Sequence, residues 1–368
     1  MSNPAELPHL TEKFLSLPID WYLNQQIYEI EKQRLFEQGP GYIGHELMIP
    51  NPGDYYVLKW LNDSKVLVHN ENGIELLSNI CRHRQAILLE GHGNTKNIVC
   101  PIHRWTYAMD GKLMGAPYFS RNPCLDLGKT SLQQWNGMLF AGARNVNQDL
   151  ANLSVFKDFD FSNHVLNHVQ IDHYTCNWKT FIEVYLEDYH VEPYHPGLGH
   201  FVDINNLTWE FNDWYSVQVV GANRRFDRAG SPIYEKWHQQ VLRYNDNQDP
   251  SHGAIWLVYY PNIMLEWYPH TLIVSTIIPT GIESCTNVVE FYYPEEIALF
   301  ESEFIEAEQA AYRETALEDR EICRRMTEGR RALYQQRINE FGPYQIPMEE
   351  GMAHFHQFLR REIGPYLR

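Results

Sequence analysis

A chain of 368 residues, 44% hydrophobic and 21% charged, is long enough for two domains and a sizeable core and has the balance of an ordinary globular protein. A net charge of −17 argues against nucleic acid as a partner and suits a partner with a basic docking face. No apolar run approaches the roughly eighteen residues of a membrane-spanning helix, and Met1–Leu15 lacks the basic-then-apolar layout of a secretory signal. With only six cysteines, no disulfide scaffold is expected, and a reducing cytoplasm fits.

The first predicted element is a helix over Pro18–Gln38, capped by Asp20, striped by Ile27, Ile30, Leu35 and Phe36, and stopped by Gly39-Pro40-Gly41. From Tyr42 to Val146, short runs such as Tyr55–Leu58, Lys65–Val68 and Gly137–Phe140 alternate with turns at Asn51-Pro52-Gly53 and Glu71-Asn72-Gly73, which predicts an all-β module. Inside it lie Cys81-Arg82-His83-Arg84 and Cys100-Pro101-Ile102-His103, one cysteine and one histidine in each loop. That pattern suits a [2Fe-2S] cluster with cysteines on one iron and histidines on the other. Zinc takes the same donors but usually pairs like with like, and C-x-H is too tight for a finger. Trp105-Thr106-Tyr107 follows the second pair, and Asp110-Gly111-Lys112 reads as a hairpin turn. Cys124, Cys176, Cys285 and Cys323 are expected to be buried free thiols.

Beyond Asn147 a helix is predicted from Trp178 to Tyr189, placing Glu183, Glu187 and His190 on one face at i, i+4 and i+7. Pro193 should end it and let His195 swing back toward His190. Two imidazoles and one carboxylate would form the facial triad of a non-haem Fe(II) site, with open positions for O2 and substrate; taken alone, H-x4-H fits equally well a partly buried acidic helix whose histidines are capped by Glu or backbone. Strands follow at Leu207–Trp214, Ser216–Val220, Ile255–Tyr260, Ile263–Tyr268, Leu272–Pro279 and Thr286–Tyr293, then a charged helix over Glu295–Gln336 and an amphipathic piece at Met352–Leu359. The polar stretch Asp227–Gly253 fits a mobile lid or a surface excursion equally well. Helices beside an antiparallel sheet make this part α+β. Trp209, Trp214, Tyr215, Trp256, Tyr259, Tyr260, Trp267 and Tyr268 lie on or beside that sheet. They would form a slot for an aromatic substrate, a cation–π cage for a quaternary amine, or simply core.

C-R-H-R…C-P-x-H-x-W-T-Y…D-G together with N-W-K…E-x2-H-x4-H resembles the Rieske-type non-haem iron oxygenases, the ring-hydroxylating oxygenase alpha subunits. Glu187, where many members carry Asp, adds some likeness to members of the choline and carnitine monooxygenase type. The resemblance implies an α+β chain: an N-terminal helical segment (1–41) packed on the catalytic domain, an all-β Rieske domain (42–146), and a helix-grip, START-like catalytic domain (147–368). It implies cluster ligands Cys81, His83, Cys100 and His103, and a mononuclear iron held by His190, His195 and an acid at the start of a helix in Leu317–Cys323. Asp319 is the expected acid, with Glu318 its rival one residue away. Glu187, ahead of its competitor Asp188, would bridge to a cluster histidine of a neighbouring subunit, and Asn177 would be a polar neighbour of the iron. Gln85 and Arg104 stand where the family commonly has glycine or another small residue. A terminal oxygenase is implied that activates O2 to mono- or dioxygenate a small organic substrate, first an aromatic one, second a quaternary amine that it would hydroxylate or N-dealkylate. A Rieske electron-transfer protein without oxygenase activity is the reading from another class. Electrons would come from a separate NAD(P)H-dependent reductase, directly or through a ferredoxin, because no nucleotide-binding fingerprint or plant-type C-x4-C-x2-C spacing is present. A homotrimer or dimer of trimers is expected.

Overall fold

The computed structural model describes residues 16–223 and 229–367. Two compact units emerge: Pro40–Gln148, and the N-terminal residues up to Gly39 joined with Asp149 onward. The predicted first helix is broken in two, α1 (Asp20–Leu23) and α2 (Gln25–Glu31), followed by a π-turn over Lys32–Phe36. Asn24 causes the break. It leaves the helical region at ψ 119° and its side chain accepts from the Gln26 and Ile27 amides, so Asn24, and not Asp20, is the residue that caps.

The first unit is built on strands, with 3-10 turns at Glu46–Met48 and Lys59–Leu61. β1 (Tyr42–His45) pairs with β11 (Met138–Phe140), which pairs with β10 (Gln133–Trp135). A five-stranded sheet runs β5 (His92–Asn94), β2 (Asp54–Val57), β3 (Lys65–Asn70), β4 (Gly73–Ser78), β9 (Lys129–Thr130). A three-stranded sheet joins β6 (Asn97–Val99), β7 (Thr106–Ala108) and β8 (Leu113–Gly115). The β7–β8 turn is the predicted Asp-Gly tip: Gly111 sits at φ +82° and Asp110 accepts from the Lys112 amide. Val57, Val66, Leu77, Ile98, Trp105, Tyr107 and Leu127 form the core. The one-turn helix α3 (Val146–Asp149) follows.

The second unit is built on a seven-stranded antiparallel sheet. Its order is β12 (His164–Tyr174), β18 (Ser284–Pro294), β17 (Thr271–Gly281), β16 (Ile263–Tyr268), β15 (Ala254–Tyr259), β14 (Tyr215–Ala222), β13 (Val202–Asn212). β15 to β18 are buried almost throughout, so they read as near-continuous apolar runs. β12 was not predicted. It is a half-exposed edge strand carrying His164, Asn167, His168, Gln170 and Asp172, with too little apolar alternation to register.

The helices are α4 (Trp178–Tyr185), α5 (Val191–Tyr194), α6 (Leu198–Phe201), α7 (Pro232–Tyr244), α8 (Glu295–Phe300), α9 (Ser302–Gln335) and α10 (Glu350–Ile363). Phe304, Ala307 and Ala311 of α9 pack into one core with Ile273, Val289, Phe291 and Tyr293 of the sheet. Phe355, Phe358 and Leu359 of α10 pack in another with Trp178 and Ile182 of α4 and Val258, Tyr260 and Met264. Each large apolar side chain among them contributes roughly 1.5–3 kcal/mol on burial, the alanines less. Asp227 lies outside the described residues, but Pro232–Tyr244 of the suggested lid is α7, an integral helix. Ser231 caps it through the Tyr234 amide, Pro232 opens it, and Tyr234, Trp237, His238 and Val241 form its buried stripe. The Gly-Ser-Pro signal marked a helix start. Cys124 is exposed, contrary to expectation, whereas Cys176, Cys285 and Cys323 are buried.

The N-terminal segment is tied to α4 by buried polar contacts. Glu31 accepts from the Trp178 indole and from Lys179 Nζ, which is fully buried with it.

Candidate active site

The two cluster loops have the same backbone design. The Cys81 amide donates to Ala86 O and the Gln85 amide returns to Cys81 O; the Cys100 amide donates to Trp105 O and the Arg104 amide returns to Cys100 O. Each loop therefore closes on itself through the residue four places after its cysteine. That residue must be left-handed, and Gln85 and Arg104 have φ +55° and +56°. This is the physical reason a glycine would suit either position. Arg104→Gly should leave unfolding stability within about 1 kcal/mol of the parent, whereas the β-branched Arg104→Val should cost roughly 2 kcal/mol. Thermal unfolding of the two variants checks this.

Cys81 and Cys100 are buried at 1% and 2% exposure, while His83 is half-buried and His103 exposed. Burial raises the Cys81 thiol pKa, but the His83 and Arg84 amides, the Tyr107 hydroxyl and Cys100 outweigh it, so the net shift is downward, toward thiolate. The His83 ring stacks on Trp105 at 5.0 Å and meets the His103 ring edge-on at 4.6 Å. His83 Nδ1 is buried with no hydrogen-bond partner. Two inner sulfurs, two outer imidazoles and an orphaned ring nitrogen fit a cluster whose cysteine-bound iron is buried and whose histidine-bound iron faces outward.

In the second unit, α4 stops at Tyr185, short of the predicted Tyr189. The Leu186 amide makes the last helical bonds and the Asp188 amide turns to Met348 O instead. The predicted common face of Glu183, Glu187 and His190 therefore does not form. Glu183 points into the core toward Arg330, His356 and Tyr22. Pro193 does not end a helix but lies inside α5, and His190 and His195 bracket that single turn, joined by Tyr194 N to His190 O and His195 N to Val191 O. The turn brings the two Nε2 atoms to 3.0 Å. Asp319 arrives from the interior of α9, not from a helix start. Its Oδ1 lies 3.0 Å from His195 Nε2 and 3.5 Å from His190 Nε2.

These three residues are the grouped metal-ligating set among the described residues. The surrounding acids orient them. His190 Nδ1 donates to Glu187 Oε1 at 2.5 Å and His195 Nδ1 donates to Glu318 Oε2 at 2.7 Å, which leaves each Nε2 facing the other and Asp319. Glu318, the rival ligand, thus holds the far side of a histidine ring. Burial opposes charge on His190, yet Asp319 and Glu187 raise its pKa to about 10, a measure of how strongly this point favours a positive charge. Asp319 Oδ1 is buried without a hydrogen-bond partner. The donor set fits a divalent iron with open positions. Asn177 is not brought to this centre. It caps α4 through the Lys179 amide and donates to Tyr22 O and Ile282 O.

A pocket of about 90 Å³ opens beside His190, His195 and Asp319. Of the eight aromatic residues expected to wall it, Trp256 and Tyr268 do; Phe181, Tyr185, Tyr234, Trp237 and Tyr312 add further rings. Trp209 instead donates to Pro347 O, and Tyr260 packs with Phe355 and Phe358. The lining also holds Asp188, Glu266 and Glu308, all nearly fully buried. Burial, then Glu187, raises Asp188 to about 7 against the pull of His190. Burial raises Glu266 and Glu308 to about 8 each. Among the described residues no lysine or arginine lines the pocket. Glu266 and Glu308 were not singled out from the sequence. Glu266 carried a signal, a charge amid the apolar run of β16, but Glu308 sits unmarked in an acid-rich helix.

Residues 42–135 match the Rieske [2Fe-2S] domain and residues 155–364 match the ring-hydroxylating alpha subunit catalytic domain. The chain belongs to the Rieske-type ring-hydroxylating oxygenase family, an iron-dependent oxidoreductase family that incorporates oxygen and carries a Rieske cluster and a mononuclear iron. It is 56% identical to a putrescine 2-hydroxylase of Ralstonia nicotianae, over 98% of this chain and 99% of that protein. It is 46% identical to a putrescine 2-hydroxylase of Bordetella bronchiseptica, over 99% of this chain and 88% of that protein. Among solved structures, a quaternary ammonium Rieske monooxygenase shares the fold at TM-score 0.74 and 20% identity, covering 95% of each chain. No helix among the described residues is long and apolar enough to cross a membrane.

Proposed function

We propose that this chain is the terminal oxygenase of a system that hydroxylates a small aliphatic diamine of the putrescine class. The observation that carries the reading is the pocket's excess of acid: Asp188, Glu266 and Glu308 are buried in its lining, and among the described residues no lysine or arginine lines it. Buried acids without a cationic partner are costly to ionise, and a dicationic ligand offsets that cost. The two putrescine 2-hydroxylases among the relatives support it.

The same pocket separates this reading from the aromatic acid and quaternary amine expected from the rings. An aryl carboxylate would enter against three acids. A trimethylammonium group has no N–H, yet Asp188 Oδ2 and Asn287 Oδ1 are acceptors buried in the lining without a donor. A primary ammonium brings three donors.

The balanced reaction is diamine plus O2, NAD(P)H and a proton giving the amino alcohol, water and NAD(P)+. Iron at this site would supply the oxygen chemistry, with the Rieske cluster as its source of electrons. The chain's residues do the rest. His190, His195 and Asp319 hold the metal, Glu187 and Glu318 fix the two rings, the aromatic walls exclude water, and the acids orient the cationic ends. Electrons enter from a separate reductase, directly or through a ferredoxin. The Glu187 side chain keeps 14% exposure, which is compatible with the proposed bridge to a neighbouring subunit's His83 or His103 in a homotrimer or dimer of trimers. A fully active monomer would contradict that arrangement.

With a surrogate reductase, 1,4-diaminobutane should drive NADH and O2 consumption coupled to a hydroxylated product. Choline, carnitine and aromatic acids should give kcat/KM lower by about 100-fold or more, the cost of misplacing a buried charge. Faster coupled turnover of an aromatic acid or a quaternary amine would overturn the assignment.

A further inference from the structure

The pocket acids fall into two groups set apart along the cavity. Asp188 lies at the metal end, two residues before His190, 1% exposed, with its Oδ2 unpartnered. Glu266 on β16 and Glu308 on α9 make the other group. Glu308 shares a face of α9 with Asp319 but precedes it by three turns, about 16 Å along the axis. Glu266 lies between, close enough to both Glu308 and Asp319 to feel their charge.

The second group is braced by hydroxyls. Tyr268 and Ser275 donate to Glu266, Tyr293 donates to Glu308, and Ser275 also meets Tyr312 of α9. Tyr293 occupies only Oε2 of Glu308, and each Glu266 oxygen retains accepting capacity beyond its one hydroxyl partner. The Tyr185 hydroxyl and Asn287 Oδ1 are likewise buried in the lining with no partner. Acceptors arranged this way await a ligand with donors at both ends.

We propose, resting on the diamine reading above, that Glu266 and Glu308 together hold the remote ammonium while Asp188 receives the ammonium next to the carbon that is hydroxylated. The separation of the two sites then sets both the chain length accepted and the carbon presented to the metal. With a carbon beside the iron, a short methylene run would carry the remote ammonium of a diamine toward Glu266 and Glu308, an end of the cavity that a monoamine leaves without a cation. Both glutamates are held largely protonated by burial, so entry of a dication releases protons from this end.

The test uses the iron-loaded holoenzyme with its reductase, comparing 1,4-diaminobutane, 1,5-diaminopentane and 1-aminobutane. In Glu308→Gln and Glu266→Gln, the preference for 1,4-diaminobutane over 1-aminobutane should fall about 30- to 100-fold through KM, the loss expected for a hydrogen bond to a charged group. Glutamine mimics the protonated carboxyl, so the fold is retained. Glu308→Asp deepens the remote end and should shift the ratio toward 1,5-diaminopentane by about 10-fold. Anaerobic calorimetry in buffers of different ionisation enthalpy gives an independent readout. Parent enzyme should release protons on binding 1,4-diaminobutane, and Glu266→Gln fewer. If the parent hydroxylates the diamine but both glutamine variants keep its preference and its proton release, the remote-ammonium assignment is overturned while the diamine reading stands. If the parent hydroxylates no diamine, that reading falls, and this one with it.

Discussion

Asp319→Ala is expected to abolish substrate hydroxylation and lower iron from about three atoms per chain to about two, the cluster pair remaining. The geometry demands this. His190 and His195 offer two nitrogens 3.0 Å apart, and Asp319 Oδ1 is the acid oxygen that lies 3.0 and 3.5 Å from them. Glu318→Gln should behave differently. It removes the negative acceptor behind His195 but leaves all three donors in place, so metal affinity should weaken by about 10- to 100-fold with the third iron still loadable. Iron analysis after titration, with the cluster's visible spectrum as an internal control, separates the outcomes. Retention of a third, tightly bound iron by Asp319→Ala would exclude Asp319 as a ligand. Loss of that iron in Glu318→Gln, with Asp319→Ala unaffected, would exchange the two roles.

The cluster and iron motifs were legible in the sequence because both are local. Each cluster loop is closed by its own backbone bonds, Cys81 with Ala86 and Cys100 with Trp105. The pair His190 and His195 needs only the one turn of α5. Tertiary choices were not legible. A periodicity that suited Glu183, Glu187 and His190 could not show that the Asp188 amide would leave the helix for Met348 O. Asp319 and Glu318 are adjacent on α9 and point about 100° apart. Which one faces the metal depends on the rotation of that helix against the sheet, set by Phe304, Ala307 and Ala311. At Gln85 and Arg104 the departure from small residues was visible, while its backbone cause, a left-handed φ, was not.

The same division holds for the fold. β15 to β18 announced themselves because both faces are covered and apolar, whereas edge strand β12 and helix α7 hid in polar composition. The pocket acids were hidden for a related reason. Burial, the property that gives Glu266 and Glu308 their raised pKa values, belongs to the packing of α9 on β16 and β18 and leaves no mark on a charged residue's own identity.

Arg330→Met should destabilise the second unit by about 3–5 kcal/mol, the largest stability loss expected of a single polar substitution here. Arg330 Nη2 binds Glu183 Oε2 at 2.7 Å, Nη1 donates to Thr180 Oγ1 at 2.7 Å, and the guanidinium covers the Tyr22 ring at 3.7 Å. Glu183 is 1% exposed, and its other oxygen accepts from His356 Nε2 at 2.8 Å and from the Tyr22 hydroxyl. Burial alone would raise the Glu183 carboxyl, but Arg330, His356 and Tyr22 bring it down to about 2. A depressed folded-state pKa stabilises above the unfolded value near 4.5 and loses that contribution as pH falls toward 2. The parent should therefore lose stability across that acid window, and Arg330→Met should lose much less there because its contribution is already gone. In the double variant Glu183→Gln/Arg330→Met the penalty should be smaller than for Arg330→Met alone, since no uncompensated carboxylate stays buried. Denaturant unfolding of the parent, both single variants and the double variant at pH 7, 4 and 3 measures this. If the double variant is instead the sum of its single changes, Glu183 and Arg330 are not coupled. The consequence reaches the site, because Glu183 lies on the last turn of α4, immediately before the exit that presents Asp188 and His190. Loosening that turn should weaken retention of the mononuclear iron in Arg330→Met even at temperatures where the unit remains folded.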